Sequence, residues 1–201
     1  MSFSIDKVTA NGMVEVGSGR RSRVFGLLCI AACMILPTGC QKSIPSPDTW
    51  QEYKLGGGKF SAKFPFEPKK ANQSAASAVG PLNIETHQLD ISRTYAMVSS
   101  YTQYPSVAGG FDVDAGLEEA VKGAAASSKG TLQSSKNISK NGTRGKEAYF
   151  SGPKGVVMRA RFYITYKPGG EPGICSAIVV ATRKSILDDA NSNAFLDSMN
   201  F

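Results

Sequence analysis

Cys40 stands near the end of the stretch CMILPTGCQK, directly after Thr38 and Gly39, and its placement raises the question of whether it belongs to the fold or marks where the mature protein begins. The other candidates are weaker. His87 is the only histidine, and on an alternating strand it shares a face with Glu85 and Leu89; two ligands at i and i+2 are too few for a zinc site. A nucleophile–base pair would need a serine or cysteine beside His87 in space. Cys175, inside the apolar run ICSAIVVA, reads instead as a small buried hydrophobe. Asp188 and Asp189 sit near the start of a terminal helix, where carboxylates complement the helix dipole. Gly56 to Gly58 tempt a phosphate-loop reading, but Lys59 runs into Phe60 and a strand, without the Ser/Thr and helix such a loop requires. Arg159, Arg161 and Tyr163 line one side of the strand VVMRARFYITY and are the best candidates for a partner surface. The competing expectations for them are a partly solvated sheet edge or a salt bridge under a covering helix. No catalytic residue, metal site or cofactor is expected.

The segment before Cys40 has the parts of an export signal over residues 1–39: basic RRSR, then the 13 apolar residues VFGLLCIAACMIL, then a small-residue exit. Thirteen residues make about 20 Å of helix, short of the roughly 30 Å hydrocarbon core, and Pro37 ends the run, so a permanent span is the poorer reading. The end of the segment resembles a bacterial lipoprotein lipobox, which implies diacylation of Cys40 and cleavage before it. The pattern departs at Pro37, where such signals carry leucine; here Leu36 stands one place earlier. An ordinary signal peptidase would need an A-x-A-like site, which Pro37-Thr38-Gly39 is not. The polar start MSFSIDKVTANG suits an internal start at Met13, giving a signal of 27 residues.

Beyond Cys40 these residues must be positioned by one domain, since the 201-residue chain allows one ordinary core plus an appendage. Three of the four cysteines lie at or before position 40, so no disulfide framework is available. The net charge of +7 is scattered rather than gathered in a run, which fits a solvated surface or attraction to anionic lipid headgroups. Nucleic acid as a partner is disfavoured by the export signal and by sparse aromatic-basic interleaving.

Residues 40–49, the acylated cysteine followed by QKSIPSPDT, hold two prolines and no period, an extended tether of at most about 30 Å. A domain is expected over 50–201. It opens with a glycine-closed hairpin, Trp50 to Phe64, and a polar loop, Lys69 to Gly80. Strands follow over Leu82–Ile91 and Thr94–Tyr104, then a helix over Asp114–Lys129 capped by Asp112 or Asp114. Four more strands end in ICSAIVVA, apolar on both faces and so central, before a single helix over Ser185–Phe201. The fold class is α+β: an antiparallel sheet of about six to eight strands with two helices, without the strand–helix alternation of doubly wound folds.

In this order, FSAKFPFEP (Phe60 to Pro68), NGTRGKEAYF (Asn141 to Phe150) with RFYITY after it, and NAFLDSMNF (Asn193 to Phe201) resemble the PsbP-like family of α/β/α sandwich domains. The resemblance spans Trp50 to Phe201 and implies a binding scaffold more than an enzyme. The resulting expectation is a membrane-anchored lipoprotein, held through acyl chains on Cys40 on the extracytoplasmic side of the cell envelope. Its PsbP-like domain would bind a protein or envelope partner without catalysis. The alternatives are a secreted, unlipidated ion-binding or structural protein, or an enzyme using His87 or Cys175.

Overall fold

The computed structural model describes residues 43–77, 80–105, 111–166 and 170–201; the signal segment, Met13 and Cys40 lie outside them. The elements run β1 (Gln51–Leu55), β2 (Phe60–Phe64), β3 (Lys69–Ser77), β4 (Gly80–Ser92), β5 (Tyr95–Gln103), α1 (Val113–Ser127) and β6 (Thr131–Lys140). They continue β7 (Thr143–Ser151), β8 (Val157–Thr165), β9 (Gly173–Ala181), α2 (Lys184–Leu187) and α3 (Ala190–Asp197). Seven strands form one sheet in the order β3-β4-β5-β9-β8-β7-β6, every neighbouring pair antiparallel, and β1 and β2 form a separate hairpin.

The expected α+β class is what the chain adopts. β9 is the middle strand of the seven, and its apolar sequence follows from burial on both sides. Even-numbered residues of β8 (Met158, Ala160, Phe162, Ile164) meet Leu117, Ala120, Val121 and Ala124 of α1 in one core layer. Odd-numbered residues face the second layer, where the hairpin, α2 and α3 bury Phe60, Phe64, Leu187, Phe195 and Met199. Asp112 caps α1, accepting from the amides of Asp114 and Ala115. Asn141 and Gly142, both at positive φ (51° and 78°), make the two-residue turn between β6 and β7. Gly56 closes the hairpin at φ 58°, where a Cβ would meet the Tyr101 ring at 2.5 Å, so this turn requires glycine on both counts.

Three expectations are corrected. Lys69 to Gly80 is not a loop: Lys69–Ser77 pairs along its whole length with β4. It is an edge strand, so backbone hydrogen bonds rather than an apolar face hold it. The terminal helix is two helices, because Asp189 caps α3 by accepting from the Ser192 amide and so starts a new helix where one was expected to continue. The tether is shorter than read. Ile44 packs on the core, the Trp50 indole donates to the Pro45 carbonyl at 3.0 Å, and Pro47–Thr49 form a 3-10 turn.

Candidate functional site

The stripe Arg159, Arg161 and Tyr163 is not an open surface. Arg159 is 7% and Tyr163 3% exposed, because the C-terminal helices close over this side of β8. In the antiparallel register Glu147 of β7 lies opposite Arg161, and Tyr149 opposite Arg159. Glu147 is thereby enclosed by cations: Arg159 donates to its Oε2 through Nε (3.1 Å) and Nη2 (2.8 Å), Arg161 through Nε (2.8 Å), and Lys136 of β6 lies 3.0 Å from Oε1. From above, the Leu187 carbonyl, Asp188 and Asn193 accept from Arg159 Nη1, and Asp197 accepts from Arg161. Tyr149 donates to Asp188 Oδ1, and its ring lies 5.5 Å from the Arg159 guanidinium carbon. Tyr163 stacks its ring 4.9 Å from that of Phe201. The arrangement clamps α2 and α3 to the sheet. This geometry is that of a salt bridge under covering helices, the arrangement that competed with the partner-surface reading.

Burial by itself would raise the Glu147 pKa, but hydrogen bonds from Arg161, Lys136 and Arg159 outweigh it and hold it at about 2. Because the folded value lies below the ordinary value of about 4.3, the stabilisation is complete above about pH 4.5 and is lost as pH falls toward 2. Its size is on the order of 3 kcal/mol. We expect the urea midpoint of Glu147→Gln to be lower than wild type at pH 7 and to converge on it across that acid window. Parallel pH profiles for the two proteins would show that Glu147 is not held in this way.

His87 is fully buried on β4, its Nε2 3.4 Å from Glu85 Oε1 and its ring edge-on to Tyr53 at 6.2 Å. Burial pushes its pKa down, with Lys70 adding to the effect and Glu85 opposing it, so the imidazole is neutral at neutral pH. Cys175 of β9 lies opposite Tyr101 of β5, whereas His87 of β4 lies opposite Ser99 of β5. The two are therefore two strands and two residues apart, about 12 Å by sheet spacing, too far for a nucleophile–base pair. Burial pushes the Cys175 thiol up to about 12, against a hydrogen bond with Thr165 that lowers it, so it is not a thiolate at neutral pH.

Among the described residues no group of three or more His, Cys, Asp or Glu side chains could hold a metal ion. The described residues form open clefts. One of 840 Å³ is lined by Lys59, Arg144, Thr165, Tyr166 and Glu171, another of 520 Å³ by Asn72, Ser74, Asn83, Glu85 and Gln103. Neither brings a histidine or cysteine to its wall.

Glu147, Asn193 and Asp197 escaped the sequence reading, and Asp188 was assigned to a helix dipole. The alternation of TRGKEAYF places Glu147 beside Gly145 and Tyr149, but only the β7–β8 register shows that two arginines meet it.

No family model matches the chain, and no curated protein matches it. Among solved structures it is similar to the solution structure of cyanobacterial PsbP (CyanoP) from Synechocystis sp. PCC 6803, with 12% identity over 82% of this chain and 98% of that one, and a TM-score of 0.48. This is the kind of domain that the sequence resembles, and at that similarity no residue role passes from one chain to the other.

Proposed function

We propose that this protein is a lipoprotein of the cell envelope, anchored through acylated Cys40 on the extracytoplasmic side of a membrane, whose folded domain binds a protein or envelope partner without catalysis. The observation that carries the reading is the spacing between Cys40 and the fold. Among the described residues Ile44 is the first that packs on the core, so at most Gln41, Lys42 and Ser43 would separate an acylated N-terminal cysteine from the domain. Three residues span at most about 10 Å, so the domain would ride on the bilayer surface. Two or more acyl chains give stable anchoring where one alone is marginal. The absence of catalysis in this reading is supported by His87 and Cys175, each buried and each out of the other's reach.

Intact mass of the membrane-fraction protein tests it, with wild type beside Cys40→Ser. The expected mature species begins at Cys40 and carries a diacylglyceryl group, and the variant shows neither cleavage nor lipid. A wild-type species without lipid would mean that Pro37 defeats the lipobox, leaving a secreted or signal-anchored domain.

A further inference from the structure

Antiparallel pairing sets side chains of β3, β4 and β5 in cross-strand rows on the face that carries the hairpin. One row is Ser74, Asn83 and Gln103; the next is Asn72, Glu85 and Tyr101. The Gly56 turn of the hairpin lies on the second row: its amide donates to Glu85 Oε2 at 2.7 Å, and its backbone sits against the Tyr101 ring. The two rows and this turn line the 520 Å³ cleft, a volume within the range of small-ligand sites, about 300–1,000 Å³. Asn72, Ser74 and Asn83 are exposed, and neighbouring strands stand about 4.8 Å apart, so their polar ends form a regular array.

Gln103 is unlike a surface amide. Its Oε1 accepts from Lys59 Nζ (2.8 Å) and from the Tyr101 hydroxyl (2.9 Å), which fixes the orientation of the amide. Its Nε2 is buried and has no hydrogen-bond partner among the described residues. A buried donor left unpaired costs free energy. Because Gln103 lies in the wall of the cleft, an acceptor entering beside Asn83 can pair with it while Lys59 and Tyr101 keep their contacts.

The rest of the wall favours neither an ion nor an apolar ligand. Glu85 has one oxygen on the Gly56 amide and the other facing His87 Nε2 at 3.4 Å, and Lys59 is engaged by Gln103. Lys70 lies one row further along β3. The apolar bodies in the wall, Ile84 and Tyr101, are 3% and 4% exposed. What remains is amide and hydroxyl, each side chain both donor and acceptor, as sugar hydroxyls are. An extended peptide is the poorer match, since strand addition uses a sheet edge rather than a face and draws its specificity from side-chain pockets.

We propose that this cleft binds a neutral saccharide, the Asn72, Asn83 and Gln103 amides and the Ser74 hydroxyl meeting its hydroxyl and acetamido groups. This deepens the envelope-binding reading and rests on it for the class of partner, a glycan of the cell envelope.

The test uses the full mature protein in micelles of lauryldimethylamine oxide, a detergent without a sugar headgroup. Diacetylchitobiose, cellobiose and maltose are titrated separately. Nuclear magnetic resonance follows the side-chain amides of Asn72, Asn83 and Gln103, with exposed Asn137 on β6 as a remote reference. We expect at least one disaccharide to give saturable shifts at the cleft amides and none at Asn137. Gln103→Glu keeps an oxygen for Lys59 and Tyr101 but removes the buried donor, and Asn83→Asp removes its donors at unchanged size. Each should weaken binding about tenfold or more, the effect of losing one well-made hydrogen bond. Urea midpoints check that both variants fold. Absence of saturable shifts with every sugar overturns the proposal, as does unchanged affinity in both variants, which would put the sugar elsewhere. Saturable shifts at these amides with an alanine tetrapeptide but with no sugar would assign the cleft to a peptide and overturn it too. Intact mass judges the anchor separately: sugar binding by a protein without lipid upholds the cleft and sinks the anchor, and lipid without sugar binding does the reverse.

Discussion

Replacing Arg159 by alanine is expected to destabilise the fold by about 3–5 kcal/mol, the usual consequence of removing one partner from a buried ion pair. The magnitude follows from what is left behind. Glu147, 2% exposed, loses two of its three Oε2 hydrogen bonds, and the Leu187 carbonyl and Asn193 lose their donor. Arg161 and Lys136 remain, so Glu147 stays ionised but less well satisfied. Arg159→Met keeps much of the side-chain volume and separates lost charge from lost packing. In Glu147→Gln/Arg159→Met neither residue is charged, and the double variant should cost clearly less than the sum of the singles. Urea unfolding with a common m-value measures all four proteins. A loss below about 1 kcal/mol for Arg159→Ala would mean that the guanidinium is solvated and behaves as a surface pair.

How far this network was legible in the sequence depends on what alternation reports. The period of two in VVMRARFYITY correctly separated Met158, Phe162 and Ile164 from Arg159, Arg161 and Tyr163. It says which side chains share a face; it does not say whether a second layer covers that face. The cover comes from α2 and α3, remote in sequence, and the charges on it (Asp188, Asp197) look like ordinary helix solubilisers until the fold brings them down. β9 was legible because burial on both sides forces an apolar run with no alternation. β3 was not, since KKANQSAAS has no apolar face and its pairing is entirely backbone to backbone. The division of the last helix left a readable trace in Asp189-Ala190-Asn191-Ser192, a capping sequence inside a presumed helix, which periodicity alone passes over. Cys40 is the reverse case: the expectation for it rests on the residues before it alone, and it lies outside the described residues.

The second large effect is expected from Phe195→Ala, a loss of about 3–5 kcal/mol by cavity formation in the same layer, beside the ion network. Phe195 is fully buried on α3, its ring 5.0 Å from that of Phe64 in the hairpin, so it joins the two pieces that cover the same side of the sheet. Phe195→Leu, which refills much of the space, should recover most of the loss. Because Asn193 on α3 and the Leu187 carbonyl just before it are held by Arg159, the two sites act on one segment rather than on independent parts of the fold. Once either anchor is gone, the segment is already loosened and the second removal has less left to disrupt. The combined Arg159→Ala/Phe195→Ala protein should therefore fall short of additivity by about 1 kcal/mol or more, a coupling typical of shared packing. If the double variant is additive within error, the ion network and the aromatic contact hold α3 separately, and the clamp assigned to Arg159 would reduce to a local ion pair within the sheet.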